Sequence, residues 1–265
     1  MKRFKLTIEY EGTPFKGWQR QPDFMSVQQV IEDAAFGVEG EPVTVFGAGR
    51  TDAGVHALGQ VAHIDMRKDI SAIKLRDALN YHIRPHPVAV LLAEEASPEF
   101  HARFSATQRH YIYRLVDRRA GLTFDRQKAW RVIQPIDETA MHEGAQHLLG
   151  THDFSTFRDA RCEADSPIKS INYIRVDRDG QEVRVQVGAR SFLHRQVRSI
   201  VGSLFEVGRG RKTPDWIREI LTAADRKACG QVAPPDGLYL ARVDYDEDLS
   251  NAPADQIALG SIQLK

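Results

Sequence analysis

The feature that most restricts the fold of this chain is a hydrophobic period that switches repeatedly between two and about 3.6, because strands and helices bury differently spaced residues. Phe4, Leu6, Ile8 and Tyr10 alternate as on a half-buried strand. Ser26 with Gln29 forms a capping box, Met25 and Val30 are placed to staple it, and Val27, Val30, Ile31, Ala34, Ala35 and Val38 give one apolar helix stripe. Val43 to Gly47 and Gln60 to Met66 read as strands, Ala72 to Ile83 as a helix through Leu75, Leu79 and Ile83, and Val88 to Ala93 as a strand. The order βαββαβ is that of a split ferredoxin-like unit.

A turn-rich stretch at Ser97-Pro98 follows, and the order then begins again. Strands are expected at Tyr111 to Val116 and Ala129 to Ile133, then a helix from Asp137 to Gly150 with Met141, Ala145, Leu148 and Leu149 inward. Two strands flank the turn residues Asp179-Gly180, the second marked by Val183, Val185 and Val187. Leu193, Val197, Ile200, Val201 and Leu204 line another helix, Trp216 to Thr222 a shorter one, and Leu238 to Tyr245 a closing strand. The expected fold is α+β, with two ferredoxin-like, RRM-like halves over 1–107 and 108–265 whose mainly antiparallel sheets can join.

A chain of 265 residues with 42% hydrophobic content is long enough to build such cores. Its apolar runs fall far short of the roughly 18 residues a spanning helix needs, and Met1-Lys2-Arg3-Phe4 leads straight into a strand pattern. No membrane association or export is expected. Cys162 and Cys229 lie far apart without metal or redox spacing, so they read as small core residues of a cytoplasmic protein.

Charge is informative in its distribution rather than its sum, since 36 basic side chains balance 36 acidic ones. Arg184, Arg190, Arg195, Arg198, Arg209, Arg211 and Lys212 fall in one stretch against the single acid Glu206. A second stretch mixes Arg103, Arg109, Arg114, Arg118 and Arg119 with Phe104, Tyr111 and Tyr113. Cations suit phosphates and rings suit bases, so both stretches fit structured RNA, and both also fit solvated strand and helix faces.

The densest chemistry lies in Phe46-Gly47-Ala48-Gly49-Arg50-Thr51-Asp52-Ala53-Gly54-Val55-His56-Ala57, between two expected strands. Its small residues leave room for a ligand or a neighbouring backbone to come close. The glycines at 47, 49 and 54 miss the dinucleotide spacing, and a strand rather than a helix follows, which disfavours a phosphate cradle. Taken alone, Asp52 is better explained by a turn carboxylate bonding to nearby amides.

Five ordered motifs change that weighting: Gly17-Trp18-Gln19-Arg20-Gln21, Gly49 to Ala57, Phe100-His101-Ala102-Arg103-Phe104-Ser105-Ala106-Thr107, Phe192-Leu193-His194 with Val197-Arg198, and Gly237-Leu238-Tyr239-Leu240. With them the chain resembles, over nearly its whole length, the A-type tRNA pseudouridine synthases, which modify the anticodon stem-loop. The resemblance implies that Asp52 is the catalytic aspartate, Tyr111 the active-site tyrosine and Arg198 the basic partner of the aspartate. It also implies a tRNA substrate modified at positions 38 to 40 and a homodimer with one RNA spanning both subunits.

The reaction cuts the N1–C1′ bond of a uridine, turns the uracil and rejoins it through C5, so it conserves every atom and calls for neither metal nor organic cofactor. A carboxylate can attack covalently or take a proton from the sugar, and the sequence leaves both routes open. The carboxylate must be ionised in either case; desolvation opposes this, and a guanidinium such as Arg198 or Arg50 favours it. A tyrosine offers a ring to pack on the uracil and a hydroxyl to help move the C5 proton, although Tyr111 also fits a strand core. A base in a stem must be flipped out to be reached, and Arg20, Arg190, His194, Arg195, Arg209, Arg211 and Lys212 are the candidate phosphate contacts. Two other classes compete: a non-catalytic RNA-binding module, and a metal-dependent hydrolase using His56, His63 and Asp65, which lack recognised metal-site spacing.

Overall fold

The computed structural model describes residues 1–246. Its first half contains strand β1 (Lys2–Tyr10), helix α1 (Val27–Glu39), strands β2 (Phe46–Gly47) and β3 (His56–Met66), helix α2 (Ala72–Ile83) and strand β4 (Val88–Ala96). There follow β5 (Ala106–Asp117), β6 (Trp130–Val132), α3 (Glu138–Gln146), β7 (Gly150–Asp153), β8 (Ile168–Asp179), β9 (Glu182–Ala189), α4 (Gln196–Gly208), α5 (Asp215–Ala223) and β10 (Leu238–Tyr245). The expected α+β class with a mainly antiparallel sheet is what the chain forms.

The two halves share one ten-stranded sheet in the order β4-β1-β3-β10-β5-β9-β8-β7, with β2 added on β3 and β6 on β5. β10 makes the join: it runs antiparallel to β5 and meets β3 in parallel through Tyr239↔His56 and Leu240↔Ala57. One core packs Phe4, Leu6 and Ile8 of β1 against Val30, Ile31, Leu75 and Leu79 of the first two helices, and includes Leu240, Val243 and Tyr245 from the closing strand. The other packs Val183, Val185 and Val187 against Val197, Ile200, Val201 and Leu204 of α4. Tyr111 packs against both. The expected second half extends to residue 265, so its end over 247–265 lies outside the described residues.

Local chemistry explains the element ends. The Ser26 hydroxyl accepts the Gln29 N–H at 3.2 Å, as a cap should, and Gly40 closes α1 with φ +84° and its N–H on Phe36 O at 2.8 Å. Other boundaries depart from expectation. Of Val43 to Gly47 only Phe46 and Gly47 pair, and β3 begins at His56 rather than Gln60 because β10 supplies a partner for its first residues. The helix expected to reach Gly150 stops at Gln146, and Gly150, at φ +88°, opens a polar edge strand that pairs Thr151 with Ser170 and His152 with Lys169. Both cysteines are free thiols and only partly buried, not fully enclosed in the core. Among the described residues no helix is long and apolar enough to cross a membrane.

Candidate active site

The loop leading into β3 is fastened from several sides. Ala48 N–H bonds Val61 O at 2.7 Å, the Gln60 amide reaches Gly49 O at 2.9 Å, and Trp18 N–H meets Thr51 O at 3.1 Å. Tyr10 Oη lies 2.8 Å from Thr51 Oγ1. Two glycines allow this approach: a Cβ at Gly12 would sit 2.0 Å from Val55 O, and one at Gly17, where φ is +95°, would sit 2.5 Å from Thr51 O. The Gly17-Trp18 motif is thus a buttress behind the loop. With its neighbours pinned, Asp52 is held on a rigid base, its side chain about one-fifth exposed.

Arg198 comes to this carboxylate from across the molecule. Its Nη1 donates to Asp52 Oδ2 at 2.9 Å across 146 positions of sequence, while its Nε donates to Ala233 O at 2.8 Å. Arg198 lies in the first turn of α4, where a cation opposes the helix dipole and where no acidic residue of the helix offsets it. An Arg at that position is better explained by the Asp52 anion than by the helix. His194, placed by sequence reasoning among the phosphate contacts, instead brings Nε2 to 3.2 Å from Asp52 Oδ1 and Nδ1 to 3.6 Å from Asp159 Oδ1. The shared motif of His194 and Arg198 was the available clue. Nothing in the sequence marked Asp159.

Tyr111 stands edge-on to Phe192, with ring centroids 5.2 Å apart at 90°. Burial pushes its hydroxyl up to about 12, with the Arg109 charge opposing and the Asp52 charge adding to the rise. Arg50 points elsewhere, to an exposed contact with Glu163 at 3.4 Å, so Arg198 is the guanidinium that holds Asp52.

Several residues read as RNA-facing in the sequence are internal ties. Arg109 is buried and donates to Ala48 O and Arg103 O at 2.8 and 2.7 Å and to Arg190 O at 2.5 Å, knitting three loops together. Arg114 forks onto Glu182 at 3.0 and 2.7 Å, and Tyr113, fully buried, donates to Pro234 O at 2.7 Å. Arg195 pairs with Asp159 at 3.0 Å and Arg209 with Glu206, while Arg20, half-exposed, pairs with Glu32 at 2.9 Å at the surface. Arg209, Arg211 and Lys212 also lie beyond the far end of α4, about 16 Å along its axis from Arg198. The basic run from Arg184 to Lys212 is therefore not one patch.

The histidines proposed for a metal are otherwise engaged. His56 Nδ1 accepts the Gly12 N–H at 3.0 Å, Nε2 lies 2.9 Å from Gln127 O, and the ring stacks on Tyr239 at 4.7 Å. His63 Nδ1 accepts the Ala102 N–H at 3.1 Å, and Asp65 is paired with Arg3 at 2.8 Å. Among the described residues no group of three or more His, Cys, Asp or Glu could hold a metal ion.

Comparison with known proteins agrees with this geometry. The family model described as tRNA pseudouridine synthase matches residues 6–105 and 145–246. A tRNA pseudouridine synthase A of Maricaulis maris is 60% identical over 245 residues, covering 92% of this chain and 98% of that protein. Proteins of the same name from Rhodopseudomonas palustris and Parvibaculum lavamentivorans are 59% and 56% identical, covering 92% and 93% of this chain and 100% of each relative.

Proposed function

The chain belongs to the tRNA pseudouridine synthase family and isomerises uridine to pseudouridine in tRNA, and from this premise we propose that Asp52 is the catalytic carboxylate, with Arg198, Tyr111 and Arg50 binding the substrate around it. We propose further that the target uridines lie in the anticodon stem-loop, at positions 38 to 40. The observation that carries the assignment of Asp52 is its 2.9 Å contact with Arg198, which draws together two separate motifs.

The chemistry follows from the surroundings of the carboxylate. Arg198 favours the anion, which either attacks the sugar or removes its proton so that uracil leaves from C1′. Tyr111, with its hydroxyl raised to about 12, keeps its proton at neutral pH and serves as a packing face and donor rather than a base. Arg50 is tethered by an exposed ion pair, a weak bond it can exchange for the flipped nucleotide or its phosphate. In this reading residues 1–107 carry the Asp loop and 108–265 supply Tyr111 and Arg198. The resemblance to the A-type enzymes supports a cytoplasmic homodimer with one tRNA spanning both subunits.

Mapping new pseudouridines in unmodified tRNA after incubation with the purified protein and no added cofactor tests the reading. The native protein should modify positions 38 to 40. Asp52→Asn should bind tRNA within about threefold of the native protein yet slow turnover by at least about 10⁴-fold, as removal of a reacting group does. Modification confined to another part of the tRNA would overturn the target, and an active Asp52→Asn would overturn the residue.

A further inference from the structure

Asp52 faces a different residue at each oxygen. Arg198 fixes Oδ2, and His194 Nε2 stands 3.2 Å from Oδ1. One contact at one oxygen would leave the carboxylate plane free to turn, because the last torsion of an aspartate has a broad, shallow profile. A second residue against the other oxygen restricts that freedom. Reaction at a sugar carbon is sensitive to such misalignment.

The His194 ring lies between two carboxylates, and its backbone is tied down. Its Nδ1 lies 3.6 Å from Asp159 Oδ1, its backbone carbonyl accepts the Asp159 N–H at 3.1 Å, and its own N–H donates to Cys162 Sγ at 3.4 Å. Asp159 in turn takes the Arg161 N–H at 2.9 Å and the Arg195 guanidinium at 3.0 Å. Burial pushes the Asp159 carboxyl up, but the Arg161 amide and the Arg195 and His194 charges outweigh it and leave it below the usual range. Between these residues Arg195 adopts φ +59°, an uncommon conformation for a side chain of its size, which turns the chain between His194 and α4.

We infer that His194 and Asp159 are positioning residues for the reaction: Asp159 orients the imidazole, and the imidazole sets the plane of Asp52 from the side opposite Arg198. This inference rests on the assignment of Asp52 as the catalytic carboxylate. The arrangement follows the general logic of a reacting group oriented by a second residue that a third holds in place.

Single-turnover rates and tRNA affinities of His194→Ala, His194→Gln, Asp159→Asn and the double variants, measured on the full chain, test it. His194→Ala should slow conversion of bound tRNA by about 10- to 100-fold, as loss of one contact to a charged group does, with affinity changed less than about threefold. Asp159→Asn should slow it by roughly three- to tenfold, and should add nothing once His194 is Ala. His194→Gln carries an amide donor near the Nε2 position, so it should recover most of the rate and be insensitive to Asp159→Asn. Loss of affinity alone in His194→Ala would make His194 an RNA contact and overturn the inference. A full Asp159→Asn effect in the absence of His194 would overturn it as well. If Asp52→Asn is inactive while His194→Ala keeps the native rate, the inference fails and the assignment of Asp52 stands; an active Asp52→Asn removes the assignment itself.

Discussion

Two clusters in this molecule use the same four residue types and differ in what holds them. Asp52 gathers His194 and Arg198 beside Tyr111, whose hydroxyl feels its charge. Asp244 gathers His110 at 2.6 Å and Arg242 at 3.0 Å, with Tyr173 Oη 2.8 Å from the second nitrogen of His110. Tyr111 and His110 are neighbours on β5, so the clusters lie against opposite faces of the sheet. The members of the Asp244 cluster all come from strands, and the Tyr173 ring packs on bare backbone, where a Cβ at Gly188 would come within 2.2 Å of it. Asp52 comes from a loop of small residues. Its partners stand in and just before a helix, leaving its carboxylate partly open. The residue types are the same in both clusters; the element that carries the carboxylate and its exposure differ, and the proposed role of Asp52 rests on that difference.

The comparison predicts separable losses. Replacing Arg198 by Leu should cost roughly 10³-fold in the single-turnover rate, second only to loss of the Asp52 carboxylate, with Lys losing less but still tens-fold because it lacks the planar fork. Binding of tRNA should change little in either variant. If affinity alone fell, Arg198 would be an RNA contact and the Asp52 cluster would lose its partner. Asp244→Asn should act in the opposite way, costing about 3 kcal/mol of stability by placing an amide donor against His110 and Arg242 in a buried site. Chemical denaturation with the rate of the folded fraction measures both terms. A slowed rate in the folded protein would mean that the two clusters are not independent.

The smallest effect comes from a histidine outside both clusters. Burial, with the charges of His101 and Arg3, lowers His63 to about 4. The unfolded chain therefore takes up a proton near its ordinary 6.5 while the folded protein does not. Stability is complete above pH 6.5 and falls as the pH drops toward 4, by about 2 kcal/mol for this group after allowance for solvent screening. Carboxylates lowered by their partners, Asp159 and Asp244 among them, lose their contributions at lower pH still. His63→Gln should flatten thermal stability between pH 6.5 and 4; an unchanged slope would show that another group takes up the proton.

Much of this was legible in the sequence where local pattern decides structure. The stripe from Val27 to Val38, the alternation in β1 and the cap at Ser26 each report a burial that the chain then carries out. β7 was not legible, because Gly150-Thr151-His152-Asp153 has no apolar alternation and becomes a strand only through its pairing with β8. The start of β3 was hidden for the same reason, since its partner arrives from β10. At the candidate site the five motifs contain Asp52 and Arg198, the resemblance they carry implied Tyr111, and the structure places Arg198 against Asp52. The sequence could not sort the other cations. Arg109, Arg114 and His194 have the composition of a phosphate-binding surface, and their carbonyl and carboxylate partners lie far away in sequence. Asp159, in a turn-rich segment, carried no sign of the histidine it faces.

The most direct test sets the two aspartates side by side: the single-turnover rate of pseudouridine formation on saturating unmodified tRNA, per folded protein, for Asp52→Asn and Asp244→Asn. The account predicts a rate at least about 10⁴-fold below native for Asp52→Asn, and a native rate within about threefold for Asp244→Asn despite its lower stability. Measurable turnover by Asp52→Asn, or an equal loss in both variants, would contradict it.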